Sequence, residues 1–175
     1  MIQFVPLGES HETHFAKELF ESSFPEDERP PFGEVEERTQ ENFHFDVIML
    51  DDDEPIGIMT YWTFDEYTYV EHFAIHEDYR GRGIGRAAFL EFLTQYSDQV
   101  VLEIELPGND TSDRRMEFYT DMGFYPNPQE YWQPSYHKAG TLALPMLLMS
   151  KYELDDDDFN EVRDTLYKTV YNYKA

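Results

Sequence analysis

The chain has 175 residues, enough for one domain with a sizeable core and too few for two ordinary domains. Its 41% hydrophobic and 17% aromatic residues exclude a disordered chain, and the absence of cysteine excludes disulfides, thiolate metal sites and a cysteine nucleophile. The net charge of -24 disfavours nucleic acid and anionic membranes as partners and would attract cationic small molecules or basic peptides.

The composition also bears on location. The N-terminal residues 1–12 lack a basic stretch followed by an apolar core, so we predict no signal peptide. The longest mainly apolar run, 141–149, is far too short to span a membrane. Because a chain without cysteine fits a reducing compartment, we expect a cytoplasmic protein.

The first part of the chain is predicted to contain two helices and an antiparallel meander. A strand over 2–7 precedes helices over 11–23 and 33–42, with Ser10 as a cap and 25–31 as an exposed loop. Strands over 43–50, 56–64 and 68–76 follow, joined by acidic turns. Two successive hairpins favour antiparallel pairing.

The second part alternates helices and strands. Helices are predicted over 84–96 and 112–122, and strands over 99–106, 124–125 and 144–152, with Gly123 ending the second helix. An acidic start at 155–158 and apolar residues three and four apart predict an amphipathic C-terminal helix, packed on the domain or used in a homodimer. We therefore predict one mixed α/β domain over 1–152 and an acidic helical extension over 153–175 packed on it.

A loop rich in glycine and arginine joins the strand over 68–76 to the next helix. Gly81, Gly83 and Gly85 alternate with Arg82 and Ile84, between Arg80 and Arg86. Glycines let the main chain approach a ligand, a helix N-terminus adds positive potential, and arginines add charge-assisted donors. The loop therefore has the chemistry of a pyrophosphate site.

Two other phosphate-binding loops fit this segment less well. A P-loop requires Lys followed by Ser or Thr after the last glycine, and Arg86-Ala87 stands there. A dinucleotide-binding fingerprint requires an acidic residue about 20 residues after the glycines, and Glu103 or Glu105 meets this requirement. However, Arg86 occupies the place of its third glycine, and the preceding strands form hairpins. Dinucleotide binding is therefore disfavoured.

These residues resemble the GCN5-related N-acetyltransferase (GNAT) superfamily. Its acyl-CoA signature, Arg or Gln, two residues, Gly, one residue, Gly or Ala, matches Arg80, Gly83 and Gly85. The resemblance extends to the strand triplet Phe73-Ala74-Ile75, to Asn109 and to the helix Phe118-Tyr119-Thr120-Asp121-Met122-Gly123-Phe124. It implies a mostly antiparallel sheet flanked by helices and splayed between strands 4 and 5.

The resemblance also implies how acetyl-CoA, the expected cosubstrate, is bound. The amides and side chains of Arg80, Gly81, Arg82, Gly83, Ile84, Gly85 and Arg86 would hold the pyrophosphate. The main chain of Phe73, Ala74 and Ile75 would pair with pantetheine, and Asn109 would be a further cofactor contact. No metal is implied, because His72 and His76 lie about 13 Å apart on a strand, too far for one ion.

Amine acetylation requires a neutral amine and a proton for the departing thiolate. By resemblance, Tyr119 would be the acid that protonates the thiolate. Two glutamates are candidate bases: Glu71, which alternation would place on the same face as Phe73, and Glu103, which resembles a position used by some family members. Solvated strand carboxylates remain an alternative for both.

The predicted activity is direct transfer of acetyl from acetyl-CoA to a primary amine, carried by a cationic small molecule or peptide. Tyr131, Trp132 and Tyr136, with Trp62, are candidate walls of the acceptor pocket, because aromatic faces attract cations; core packing is the alternative. Arg114 and Arg115 are either further cofactor contacts or surface charges. The competing function is a non-catalytic acyl-CoA-binding regulatory module.

Overall fold

The computed structural model of the protein describes residues 1–95 and 99–174. Its strands are β1 (Ile2–Pro6), β2 (Phe43–Leu50), β3 (Glu54–Thr63), β4 (Thr68–Ile75), β5 (Val100–Glu105), β6 (Tyr125–Pro126), β7 (Tyr131–Pro134) and β8 (Leu142–Ser150). Its α-helices are α1 (Leu7–Ser10), α2 (Thr13–Ser23), α3 (Phe32–Glu36), α4 (Ile84–Gln95), α5 (Asp110–Asp121) and α6 (Asp156–Thr169). The predicted mixed α/β class and the C-terminal helix are confirmed.

The chain divides into two compact units, Met1–Val100 and Val101–Ala175. The predicted boundary at residue 152 and the predicted opening of the sheet between strands 4 and 5 stay predictions. Among the residues that the structure describes, no helix combines the length and the apolar composition that crossing a membrane requires.

In the first unit, β1, β2, β3 and β4 pair in chain order, and each pair is antiparallel. Alternate residues of β2, such as Phe45 and Val47, join Leu19 and Phe20 of α2 in one buried core. On the opposite face, Phe92 of α4 packs edge-on against rings of β1 and β3, at centroid distances of 5.8 and 5.0 Å. The sheet is therefore covered by helices on both faces.

A bulge interrupts the pairing of β3 with β4. Thr60 pairs with His72 and Tyr61 pairs with Val70, so Glu71 is an extra residue on β4. Such a residue breaks the alternation of side chains along the strand. Glu71 consequently faces Trp62, whereas Phe73 packs against Phe89 of α4. The prediction that Glu71 and Phe73 share a face is wrong for this reason.

In the second unit, β8 is the strand to which the others pair. β5 and β6 are antiparallel neighbours on its two sides, and β7 pairs with its N-terminal half. Helix α6 buries Phe159, Val162 and Leu166, and the ring of Phe159 lies 6.3 Å from that of Tyr131. The apolar spacing in the sequence thus marks the face of α6 that packs inward.

Several predicted details differ from the structure. The helix predicted over 33–42 is only the five residues of α3. Val35 is the one apolar residue of the stretch 33–42, and a helix without an apolar face to pack is marginal. Ser10 does not cap α2 directly: its hydroxyl donates to the Leu7 carbonyl and accepts from the Glu12 amide. Strand β7 was not predicted, and the predicted end of α4 at Tyr96 lies outside the described residues.

Candidate active site

The glycine–arginine loop lies between β4 and α4 in the first unit. Gly81 and Gly83 have φ angles of 78° and 76°, a conformation that glycine adopts at little cost. The Ala87 amide donates to the Gly83 carbonyl at 3.0 Å. The amides before Ala87 lie in the first turn of α4, where amides have no carbonyl of the same helix to bond. A Cβ at either glycine would meet no atom within 4 Å, which leaves open space above the loop.

Two arginines of this loop, Arg80 and Arg82, are each tied to the main chain through one nitrogen. Nε of Arg80 donates to the Ile75 carbonyl at 2.7 Å, and Nη2 of Arg82 donates to the Asp78 carbonyl at 2.6 Å. A guanidinium has five N–H donors, so these bonds orient the side chains and leave further donors for an anion. Arg86 is also exposed, in the first turn of α4.

The triplet Phe73-Ala74-Ile75 forms the end of β4, where one edge pairs with β3 through Met59, Ile58 and Gly57. A Cβ at Gly57 would lie 2.6 Å from the Ala74 carbonyl oxygen, which explains why glycine stands at this close approach. The triplet is therefore fixed in an extended conformation. Its pairing with pantetheine stays a prediction.

Glu71 lies in a buried cluster with Arg38, Trp62 and His72. Its side chain is fully buried and accepts hydrogen bonds from Arg38 Nη1 at 2.7 Å, Arg38 Nη2 at 3.4 Å and Trp62 Nε1 at 2.8 Å. The guanidinium of Arg38 also lies over the rings of Phe43 and Trp62, at 4.7 and 5.3 Å. The carboxylate is thus held by charge and by geometry.

These contacts lower the proton affinity of Glu71. Burial alone would raise its pKa, but the charges of Arg38 and His72 and the donated hydrogen bonds outweigh burial and lower the pKa to about 2. Burial lowers the pKa of His72, whose Nε2 lies 3.0 Å from the Glu28 carbonyl oxygen. At neutral pH, Glu71 is therefore ionised and binds a proton weakly.

Tyr119 is a buried residue near the end of α5 in the second unit. Its ring packs edge-on against Phe118 and Phe124, at 5.0 and 5.6 Å. Burial raises its pKa above the ordinary value, an effect that the charge of Arg115 opposes and that of Glu105 reinforces. Glu105 and Arg115 form an ion pair at 2.5 Å. The Tyr119 hydroxyl therefore keeps its proton at neutral pH.

Asn109 is the N-cap of α5. Its Oδ1 accepts the Ser112 amide at 2.9 Å, and its own amide donates to the Ser112 hydroxyl at 3.2 Å, which forms a capping box. This geometry gives Asn109 a structural role. Its predicted contact with the cofactor stays a prediction.

Glu103 on β5 is half-buried, and residues that the sequence analysis missed surround it. The Tyr171 hydroxyl donates to both of its carboxylate oxygens, at 2.9 Å to Oε2, and Gln133 Nε2 lies 3.5 Å from Oε1. Tyr171 is 68 residues from Glu103 in sequence, so no local pattern reveals the contact. Arg38 was equally missed, although it is an isolated cation in a very acidic stretch.

The predicted aromatic walls have different surroundings. Trp62 is only 1% exposed and donates to Glu71, so it belongs to the buried cluster of the first unit. In the second unit Tyr131 is buried, Trp132 is 37% exposed, and the ring of Tyr136 lies 5.1 Å from that of Tyr171. Core packing thus accounts for Trp62, and the role of the other three stays a prediction.

Comparison with known proteins gives a consistent family. The sequence profile described as the Acetyltransferase (GNAT) family matches residues 13–124. A protein from Bacteroides thetaiotaomicron assigned to the same family is 36% identical, with a TM-score of 0.88 and 99% of each chain covered. No curated protein matches the chain by sequence.

More distant structures share the fold alone. One is Arabidopsis thaliana NAA60 in complex with acetyl-CoA, which is 13% identical with a TM-score of 0.59 over 85% of this chain and 96% of the other. Another is the aminoglycoside 6'-N-acetyltransferase from Enterococcus faecium, 15% identical with a TM-score of 0.60 over 89% and 99%.

The profile match covers more than half of the chain, and the 36% identity extends over nearly all of it. The resemblance inferred from the glycine–arginine loop and the Tyr119 helix is thereby confirmed. The chain belongs to the GNAT acetyltransferase family.

Proposed function

We propose that the protein is an acetyl-CoA-dependent N-acetyltransferase that transfers the acetyl group to a primary amine by direct attack. The observation that carries this proposal is the exposed turn at the N-terminus of α4, where positive-φ glycines and oriented arginines surround the amides of the first helical turn. A related fold in Arabidopsis thaliana NAA60 binds acetyl-CoA, which supports the same cosubstrate here.

The residues of the loop fit a pyrophosphate in charge and in shape. The amides of Ile84, Gly85 and Arg86 and the guanidiniums of Arg80 and Arg82 would hold it, because helix N-termini and arginines both favour anions. Bound acetyl-CoA would supply an activated thioester. The chain lacks cysteine, so an acyl-enzyme on a thiol is excluded and direct attack by the amine is favoured.

Tyr119 is proposed as the acid that protonates the departing thiolate. Like any tyrosine it carries a proton at neutral pH, as a donor must, and burial raises its pKa so that the free hydroxyl holds this proton more firmly. The burial of the ring among Phe118 and Phe124 fixes its direction.

The two glutamates have different properties as candidate bases. Glu71, with its pKa near 2 and its bonds to Arg38, is a weak proton acceptor, and we propose that it positions Arg38 and Trp62. Glu103 is half-buried and accepts hydrogen bonds from two neutral groups, so we assign it to binding of the acceptor amine. The amine would then lose its proton through water.

The first test is calorimetric titration of acetyl-CoA into the wild type, into a variant with Arg82→Glu and Gly83→Glu, and into Tyr119→Phe, with NAD as a control ligand. We expect micromolar binding of acetyl-CoA by the wild type and Tyr119→Phe, loss of binding in the charge-reversed variant, and no binding of NAD. Acetyl transfer by Tyr119→Phe should be slower by about 100-fold or more, the contribution typical of a general acid.

Other outcomes of this test have distinct meanings. A folded wild type that binds no acetyl-CoA would overturn the proposed function. Binding without acetyl transfer to any amine in a broad panel would favour the non-catalytic acyl-CoA-binding module. Tyr125→Phe is the matched control for Tyr119→Phe, because Tyr125 is exposed and loss of its hydroxyl should not affect transfer.

A further inference from the structure

The register of the second unit places four polar side chains on one face of its sheet. Glu103 and Glu105 of β5 pair with Leu148 and Met146 of β8. Tyr131 and Gln133 of β7 pair with Met146 and Leu144 of the same strand. Because side chains alternate along a strand and paired residues share a face, these four side chains project to the same side of the sheet.

Glu103 and Gln133 meet on this face. Gln133 Nε2 lies 3.5 Å from Oε1 of Glu103, so the rest of the Gln133 amide lies beside the carboxylate. Burial, and then the charge of Glu103 and a hydrogen bond to it, raise the pKa of the Tyr131 hydroxyl well above the ordinary value, so this hydroxyl lies beside the Glu103 carboxylate. Three oxygen-bearing groups therefore converge from β5 and β7.

One acceptor of this group lacks a hydrogen-bond partner. Across residues 1–95 and 99–174, Oε1 of Gln133 makes no hydrogen bond, although the side chain is at least nine-tenths buried. An unsatisfied buried polar group costs about 1–3 kcal/mol, and such a group in a native protein calls for an explanation. A ligand that donates a hydrogen bond to this oxygen would provide one.

A primary ammonium group has the matching chemistry. It carries one positive charge and three N–H donors, and the site offers a carboxylate, an amide oxygen and a hydroxyl oxygen as acceptors. A carboxylate accepts about four hydrogen bonds, so the donation from Tyr171 need not be broken. Glu103 as a residue is half-buried, so the site lies near the surface of the second unit.

The charge of the site decides which ammonium it suits. A carboxylate beside an amine stabilises its protonated form and raises its pKa, whereas the reacting amine must be neutral. The site therefore suits an ammonium that remains charged while another amine of the same molecule reacts.

Resting on the acetyltransferase function proposed above, we infer that Glu103, Gln133 and Tyr131 bind a non-reacting primary ammonium group of the acceptor. The substrate class is accordingly a diamine or polyamine. Tyr171 acts as a positioning residue, because its hydroxyl holds the Glu103 carboxylate.

The test compares diamines with monoamines of equal chain length: putrescine with butylamine, and cadaverine with pentylamine. We expect the wild type to acetylate a diamine with a kcat/KM at least about 10-fold above that of its monoamine. Glu103→Gln should raise the KM for the diamine by about 10- to 100-fold, the effect of losing a hydrogen bond to a charged group. The ratio of kcat/KM for the diamine to kcat/KM for the monoamine should therefore fall by about 10-fold or more in this variant.

Further variants separate binding from other roles. Gln133→Leu and Tyr171→Phe should raise the diamine KM by smaller factors without changing kcat. Glu130→Gln is the matched control, because it removes one exposed carboxylate near β7 and should leave both KM values unchanged. Thermal unfolding and the KM for acetyl-CoA, both expected to match the wild type, show that Glu103→Gln is folded and binds its cosubstrate.

Contrary outcomes are distinguishable from failure of the proposed function. If the wild type binds no acetyl-CoA, the acetyltransferase proposal itself fails. If acetyl-CoA binds but no diamine is preferred, or Glu103→Gln does not change the diamine KM, the ammonium site is overturned. It is also overturned if Glu103→Gln lowers kcat equally for both amines and removes the acid limb of the pH profile, since Glu103 would then be the base.

Discussion

At the scale of single residues, the most constrained group in the first unit is the Glu71 carboxylate. It is fully buried, paired with Arg38 and bonded to Trp62. Removing one partner of a buried ion pair leaves the other charge uncompensated, which typically costs about 3–5 kcal/mol. The pair thus connects the segment after α3 to β3 and β4, and its role is to fix the positions of these elements.

The first residue-scale prediction concerns the pH dependence of stability. The pKa of Glu71 is lowered from 4.5 to about 2 in the folded protein, so its ionised form stabilises the fold above pH 4.5. This contribution is lost as the pH falls from 4.5 towards 2. We expect Glu71→Gln to lower the free energy of unfolding by about 3 kcal/mol at neutral pH, and the difference from the wild type to shrink in the acid range.

Chemical denaturation of both proteins at a series of pH values measures this difference. Glu66→Gln is a suitable control, since Glu66 is exposed in the turn before β4 and should behave as the wild type. A difference between Glu71→Gln and the wild type that stays constant down to pH 2 would contradict the role assigned to the charge.

At the scale of elements, helix α5 depends on its capping box. Asn109 satisfies the Ser112 amide, and the Ser112 hydroxyl satisfies the Asn109 amide in return. Because α5 carries Tyr119, its start fixes the direction of the residue proposed as the acid. Asn109 can therefore affect activity without touching the cofactor.

Replacing Asn109 by Ala should lower the free energy of unfolding by about 1 kcal/mol, whereas Asn109→Ser should retain most of the stability, because Ser is also a good N-cap. We expect Asn109→Ser to bind acetyl-CoA within about 2-fold of the wild type. Thermal unfolding and calorimetry measure the two quantities. A stable Asn109→Ser protein with much weaker binding would instead show that the amide contacts the cofactor.

At the scale of the whole molecule, the charge distribution favours opposite kinds of ligand in different places. There are 37 acidic residues and 13 Lys and Arg, and five of the arginines fall between positions 80 and 115. The field of the whole chain attracts cations, while the loop before α4 supplies local positive charge for an anion. A cationic acceptor and an anionic cosubstrate are therefore compatible with one acidic protein.

Salt should affect acceptors according to their charge. Raising the ionic strength from about 0.01 M to about 0.15 M shortens the screening length from about 30 to about 8 Å. We expect kcat/KM for putrescine to fall more steeply than that for butylamine, because putrescine carries one more charge. Initial-rate measurements at saturating acetyl-CoA test this. An equal salt dependence for both amines would show that the field of the protein does not steer the acceptor.

Local patterns predicted the features that depend on neighbours in sequence. The glycine spacing of the loop and the apolar face of α6 both follow from residues a few positions apart. The bulge at Glu71 depends on strand pairing, and the bonds from Arg38 to Glu71 and from Tyr171 to Glu103 span 33 and 68 residues. Such contacts arise only once the chain is folded, so no window of sequence reveals them.

The two tryptophans give the protein an optical property that follows from their burial. Trp62 is 1% exposed in the first unit, and Trp132 is 37% exposed in the second. Indole fluorescence shifts to longer wavelength in water and is quenched by dissolved iodide only when the ring is accessible. Each unit therefore carries its own reporter, and replacing either tryptophan by Phe would let the opening of one unit be followed by emission alone.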